Sequence, residues 1–191
     1  MIENILTSHN VSVRAKVTVK TFIAAALVAL AVALPQIVHI AAGAEGGMTW
    51  LPMYLPVLLA GCLLGVRWGL GTGIASPLVS FLITSLAGSP MPAAARLPFM
   101  IAELAVFALV SGAFSRKIYA SGWMAFPAVL LAAVAGRVSF MLLAVIFQGV
   151  APFTPALVWS QIQSGFIGLL LQALLVPAIV MILRKILVKQ R

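Results

Sequence analysis

Acidic side chains are almost missing from this chain: Glu3, Glu45 and Glu103 are the only three in 191 residues, and aspartate does not occur. That scarcity removes any paired-carboxylate site for acid–base catalysis. The single cysteine, Cys62, excludes an internal disulfide and a multi-cysteine metal site. Its apolar neighbours make a buried small hydrophobe its expected role. With two histidines, His9 and His39, there is no His-Glu-x-x-His zinc pattern, and Ser111 has no nearby base. Gly69, Gly71 and Gly73 imitate a phosphate loop but lack the Lys-Ser/Thr partner, so helix packing explains them better. No nucleotide-binding motif occurs. These absences point away from an enzyme and leave no cofactor or metal to expect.

Charge of either sign is scarce as well. Charged residues make up 8% of the chain, against about a quarter in a soluble domain. Hydrophobic residues make up 63%. This is the composition of an integral membrane protein, of a size for one compact bundle. No cleavable signal peptide is expected, because the first apolar run is too long and no cleavage site follows a short core. The net charge of +9 reflects short basic flanks between apolar runs, where membrane topology accounts for it without nucleic acid.

A helix needs roughly 20 mostly apolar residues to cross a bilayer. By that measure six spans are expected: Val17 to Ala42, Leu51 to Val66, Trp68 to Ala87, Leu97 to Ser115, Gly122 to Phe147, and Ala156 to Leu183. The second and third are separated by little more than Arg67, so a bent hairpin or re-entrant pair is the alternative there. With both termini cytoplasmic, ten basic residues fall on cytoplasmic flanks: Arg14, Lys16, Lys20, Arg67, Arg116, Lys117, Arg184, Lys185, Lys189 and Arg191. Only Arg96, beside Glu45, falls outside, a strong positive-inside bias. Trp50, Trp159, Trp68 and Trp123 fit interfacial aromatic belts. The external connections carry the irregular sequence: 43–47 is glycine-rich, 89–92 reads as stiff and extended, and 149–155 holds two prolines. An outer face of loops over a tight basic inner face suggests a site open to the outside.

Glu103 and Arg137 stand inside apolar runs, where a charge at the bilayer centre costs at least ~2.5–3.5 kcal/mol. At 1.5 Å rise per residue, Glu103 lies about 9 Å from the outer end of its span and Arg137 about 15 Å from that of the next. They are either a structural ion pair, or polar contacts in a solvated pocket, or both. Gln148, Gln161 and Gln163 stand near the outer ends of the fifth and sixth spans. His39, near the outer end of the first, reads as interfacial. Ala25, Ala29 and Ala33 form a small-residue stripe suited to packing inside the bundle or to docking a second membrane subunit.

Several stretches carry a further resemblance. They are Leu51-Pro-Met-Tyr-Leu-Pro-Val-Leu-Leu-Ala-Gly61 with Leu64-Gly65, Ser76-Pro-Leu-Val-Ser80, Ser89-Pro-Met-Pro92, and Met100-Ile-Ala-Glu-Leu104 with Gly112. In that order, over roughly Leu51 to Ser115, the chain resembles the substrate-binding S components of energy-coupling factor (ECF) vitamin transporters. The resemblance implies a six-helix membrane bundle of that type with both termini cytoplasmic, in a bacterial or archaeal plasma membrane. It implies a vitamin or vitamin precursor bound in an outward-facing cavity built from the outer halves of the later helices. It further implies docking on a membrane T subunit with two cytoplasmic ATPases, through the Ala25, Ala29 and Ala33 stripe. Glu103 falls in the family's Glu-Leu motif and Arg137 in its binding half. The expected pocket has Phe99, Met100, Phe140 and Phe147 as apolar wall, with Glu103, Arg137, Gln161 and Gln163 as polar contacts and Arg96 at the mouth. Tyr54 stands where histidine is expected in many relatives. A membrane scaffold with a purely structural polar pair, and a transporter working without ATPases, are the competing expectations.

Overall fold

The computed structural model describes residues 1–8, 10–147 and 154–189. Gln148, most of the loop expected at 149–155, and Arg191 lie outside the described residues, as do the side chains of Glu45 and Lys189. The regular structure of the described chain is all helical, with no strand among the described residues. Its helices are α1 (Ile2–Ser8), α2 (Val13–Trp50), α3 (Tyr54–Leu64), α4 (Val66–Leu86), α5 (Leu97–Ala113), α6 (Ser115–Ala120), α7 (Ala125–Ile146), α8 (Pro155–Ser164) and α9 (Phe166–Lys189). A short 3-10 turn, Gly122–Met124, leads into α7.

Five stretches are long and apolar enough to cross a membrane: Val13–Gly43, Gly46–Leu64, Val66–Leu86, Gly122–Ile146 and Phe166–Val188. A sixth apolar helix, Leu97–Ala113, is shorter. At 17 residues it extends about 26 Å, just under the ~30 Å hydrocarbon thickness. The protein is thus a membrane-embedded, multi-pass helical bundle with five to six candidate spans.

The boundaries differ from the sequence expectation where the backbone, rather than hydropathy, sets the break. The first span ends as expected, at Gly43 directly after Ala42: the positive φ of 68° there, which only glycine adopts freely, bends the chain, and helical structure resumes to Trp50 as the start of the second span. Leu51 then turns left-handed, its N–H donating to the Gly47 carbonyl, and Pro52 follows. The second and third spans part at Gly65 (φ 85°), not at Arg67. The sixth expected span, Ala156 to Leu183, is interrupted at Gly165, so only α9 is its membrane-length part.

Close packing of α3, α4 and α5 explains the glycines. A Cβ on Gly69 would sit 2.9 Å from the Gly61 Cα, and one on Gly73 2.8 Å from the Leu104 carbonyl oxygen. A Cβ on Gly112 would meet the Val66 nitrogen at 2.7 Å. Gly71 faces open space, so the packing reading holds for two of the three glycines in that run. Helix α3 is consequently enclosed on nearly all sides, Cys62 included, and forms the centre of the core.

The helices run back and forth, so the two ends of the bundle differ in chemistry. One end gathers Lys16, Lys20, Arg67 and Arg116 around a shared cleft, with Arg184 nearby donating to the Tyr119 and Ala120 carbonyls. The opposite end gathers the α2–α3 bend and the α4–α5 connection.

Candidate functional site

Three side chains from three helices converge inside the bundle. Glu103 (1% exposed) lies in α5, Arg137 (6%) in α7, and Tyr54 is the first residue of α3. The Tyr54 hydroxyl donates to Glu103 Oε2 at 2.6 Å. Arg137 Nη1 approaches Glu103 Oε1 at 3.1 Å, and the guanidinium carbon lies 5.2 Å from the Tyr54 ring centroid. That places a cation over an aromatic face in a desolvated setting, where the attraction is strongest. The ion pair is close but misdirected. Among the described residues, Glu103 Oε1 and Arg137 Nε, Nη1 and Nη2 have no hydrogen-bond partner of proper geometry. Buried donors of this kind are expensive to leave unmet, so the cluster retains hydrogen-bonding capacity for a polar group.

Local packing holds Tyr54 in place. Its ring meets Phe107 edge-on at 4.8 Å, and Phe107 lies one turn after Glu103 on the same face of α5. Phe107 in turn packs against Gly136, where a Cβ would come within 2.0 Å of the ring. The bend before Tyr54 is held from α9: buried Gln172 donates to the Leu51 carbonyl at 2.6 Å and to that of Trp50 at 3.3 Å. Gln172 escaped the sequence reading, although an amide inside the run Leu171-Gln172-Ala173 is the same kind of signal as Glu103.

Tyr54 also walls a cavity of about 290 Å³ at the loop-rich end. The other walls include Pro35 and His39 of α2, Met48 and Met53 of the bend, Ser80 of α4, and Arg96 and Met100 at the start of α5. The 90–92 segment adds a further wall and is tied to α4: Ser80 Oγ donates to the Met91 carbonyl at 2.8 Å, and the Met91 N–H donates to Thr84 Oγ1 at 2.7 Å. His39, expected only at the interface, faces this cavity with its Nδ1 buried and unpartnered among the described residues.

The sequence-expected residues divide into groups. Tyr54, Glu103 and Arg137 form the cluster, and Tyr54, Arg96 and Met100 line the cavity. Gln161 joins indirectly, accepting from Arg96 Nη2 at 2.9 Å. Phe99 and Phe140 lie elsewhere, edge-on at 6.0 Å, in a second apolar cluster with Ala144 and Val158 that unites α5, α7 and α8. Phe147 extends it at 6.2 Å from Phe99. Gln163 is exposed and apart. This cavity lies between α2, the start of α3 and the α4–α5 connection, and its described walls come from those elements. Ala25, Ala29 and Ala33 are all exposed on the outer side of α2, whereas Ala31 is fully buried. Among the described residues the stripe therefore lies on an exposed side of α2.

No family model, curated protein or solved structure matches this chain.

Proposed function

We propose that this protein is the membrane-embedded substrate-binding subunit of an ECF-type importer, capturing a vitamin-like small molecule at its loop-rich end. The observation that carries the reading is the cavity walled by Tyr54, because the same side chain hydrogen-bonds the buried Glu103–Arg137 pair. A cavity with apolar walls and a few placed polar groups is the usual form of a small-molecule site. Its polar inventory is Arg96, His39, Ser80 and the Tyr54 edge, with no carboxylate among the described wall residues. That inventory suits a neutral or anionic ligand with hydrogen-bonding edges.

In this reading the basic end is cytoplasmic, by the positive-inside bias, and the cavity faces outward. The exposed Ala25, Ala29 and Ala33 stripe serves as the contact for a membrane T subunit, since small residues let helix backbones approach closely. Two cytoplasmic ATPases supply the energy, and the chain itself performs no catalysis. Its place is the plasma membrane of a bacterium or archaeon.

The test is to purify the protein in mild detergent, identify copurifying small molecules by mass spectrometry, and measure melting across a vitamin panel. A copurifying ligand that also raises the melting temperature supports the reading. A repeatedly empty protein without a shift for any vitamin would defeat it and favour a scaffold role.

A further inference from the structure

The opposite end of the bundle holds a second site, independent of the ligand reading. We propose that the basic cleft beneath α1 binds the phosphate headgroup of an anionic phospholipid. The cleft measures about 870 Å³ and lies between α1, the start of α2, the α3–α4 joint and the α5–α6 joint.

Four cations from three helices converge on it: Lys16 and Lys20 of α2, Arg67 of α4 and Arg116 of α6. They face a single carboxylate, Glu3. Lys20 is committed to that carboxylate at 2.9 Å, and Lys16 Nζ donates to Thr7 Oγ1 at 3.1 Å. Arg67 and Arg116 are exposed, and neither makes a direct ion pair among the described residues, although Arg116 is near enough to feel the Glu3 charge. Membrane topology explains why cations gather at one end, but not why they converge on one cleft. Two guanidinium groups free to bond in fork geometry match phosphate better than any other common anion.

The cleft's apolar flank separates a lipid from a free anion. Val13 and Val17 line the cleft on the α2 side, and both are exposed. Trp68, an aromatic suited to the membrane interface, completes the wall. A cationic pocket opening onto an apolar helix face accommodates a headgroup with its acyl chains alongside. Basic pockets between transmembrane helices bind anionic headgroups in this way. The first turn of α4, which no side chain caps, lines the same cleft.

The test uses the full chain in nanodiscs of phosphatidylcholine, alone or doped with phosphatidylglycerol, with melting followed by tryptophan fluorescence. Phosphatidylglycerol should raise the melting temperature by on the order of 5 °C, as expected for a ligand well above its dissociation constant. Native mass spectrometry should show it retained several-fold over phosphatidylcholine. The Arg67→Gln/Arg116→Gln variant should melt like wild type in pure phosphatidylcholine, because both side chains are exposed, and should lose the rise and the retention. Equal rises in both proteins, or none in wild type, would overturn the site. Inorganic phosphate added to phosphatidylcholine discs should have no effect; a matching rise there would assign the cleft to a soluble phosphate instead.

Discussion

Glu103 and Arg137 meet 3.1 Å apart between α5 and α7, as an ion pair without a directed hydrogen bond. Bringing two charges out of water is costly, and their attraction repays it only when the remaining polar atoms are satisfied. Here the Tyr54 hydroxyl satisfies one carboxylate oxygen, while the guanidinium keeps spare donors. The pair is consequently sensitive to the loss of either member.

Removing one charge strands the other. Glu103→Gln or Arg137→Met alone should each destabilise the protein by about 3–5 kcal/mol. The double variant should recover much of that loss. Unfolding titrations of all four proteins in detergent give the coupling directly. Additive losses would mean that the two charges do not support each other.

Tyr54→Phe keeps the ring over Arg137 and beside Phe107 but deletes the bond to Glu103. A hydrogen bond to a charged group is worth ~1.5–3 kcal/mol, which sets the expected loss of stability. Any ligand found to copurify should also bind more weakly, because the hydroxyl lies behind the cavity wall. Unchanged stability with unchanged binding would remove Tyr54 from the site.

Gly136 and Gly71 make a matched pair of tests. Gly136→Ala drives a Cβ into Phe107 and should cost roughly 1–3 kcal/mol through overpacking. Gly71→Ala meets no atom within 4 Å and lies in a helix interior, so it should be neutral or stabilise by about 0.5–1 kcal/mol. Melting curves for the two variants distinguish a packed α5–α7 contact from a loose one.

The two faces of α2 should respond in opposite ways. Ala29→Leu, on the exposed stripe, should leave folding and ligand retention intact while impairing uptake in cells that carry an ATPase module. Ala31→Leu, at a fully buried position, should cost about 1–3 kcal/mol. If Ala29→Leu instead abolished ligand binding, the stripe would not be a partner surface. Undiminished uptake without the module would favour solitary transport.

A small acid-dependent term belongs to the α1–α2 contact. The hydrogen bond and charge of Lys20 hold the Glu3 carboxyl below its ordinary pKa. A group depressed in the folded state adds stability above its unfolded pKa and loses it as pH falls through the folded one. Acidification into the carboxylate range should therefore loosen α1. The Glu3 side chain is 63% exposed, so the contribution is under ~1 kcal/mol. Glu3→Gln should remove the part of this dependence that falls in the carboxylate range, as read by hydrogen exchange in α1, and leave the part near pH 6, where the buried Met1 amine titrates.

Hydropathy alone identified the membrane class, the apolar segments and the anomalous pair, because burial in lipid forbids charge and imposes a length on each span. It also marked the small-residue stripe, and the rule that cations collect on one side of the membrane marked the basic end. What it did not contain was which residues meet. The approach of Tyr54 to Glu103 spans 49 positions of sequence and depends on a left-handed Leu51 held by Gln172 from α9. Phe99 and Phe140 share the composition of a pocket wall, and only the structure shows them packed edge-on together with Ala144 and Val158. The break at Gly65 rather than Arg67, and the outward facing of Ala29 beside inward-facing Ala31, are likewise settled by packing. Apolar helices read alike on every face in sequence; only their contacts decide which face meets lipid, which meets protein and which encloses the cavity.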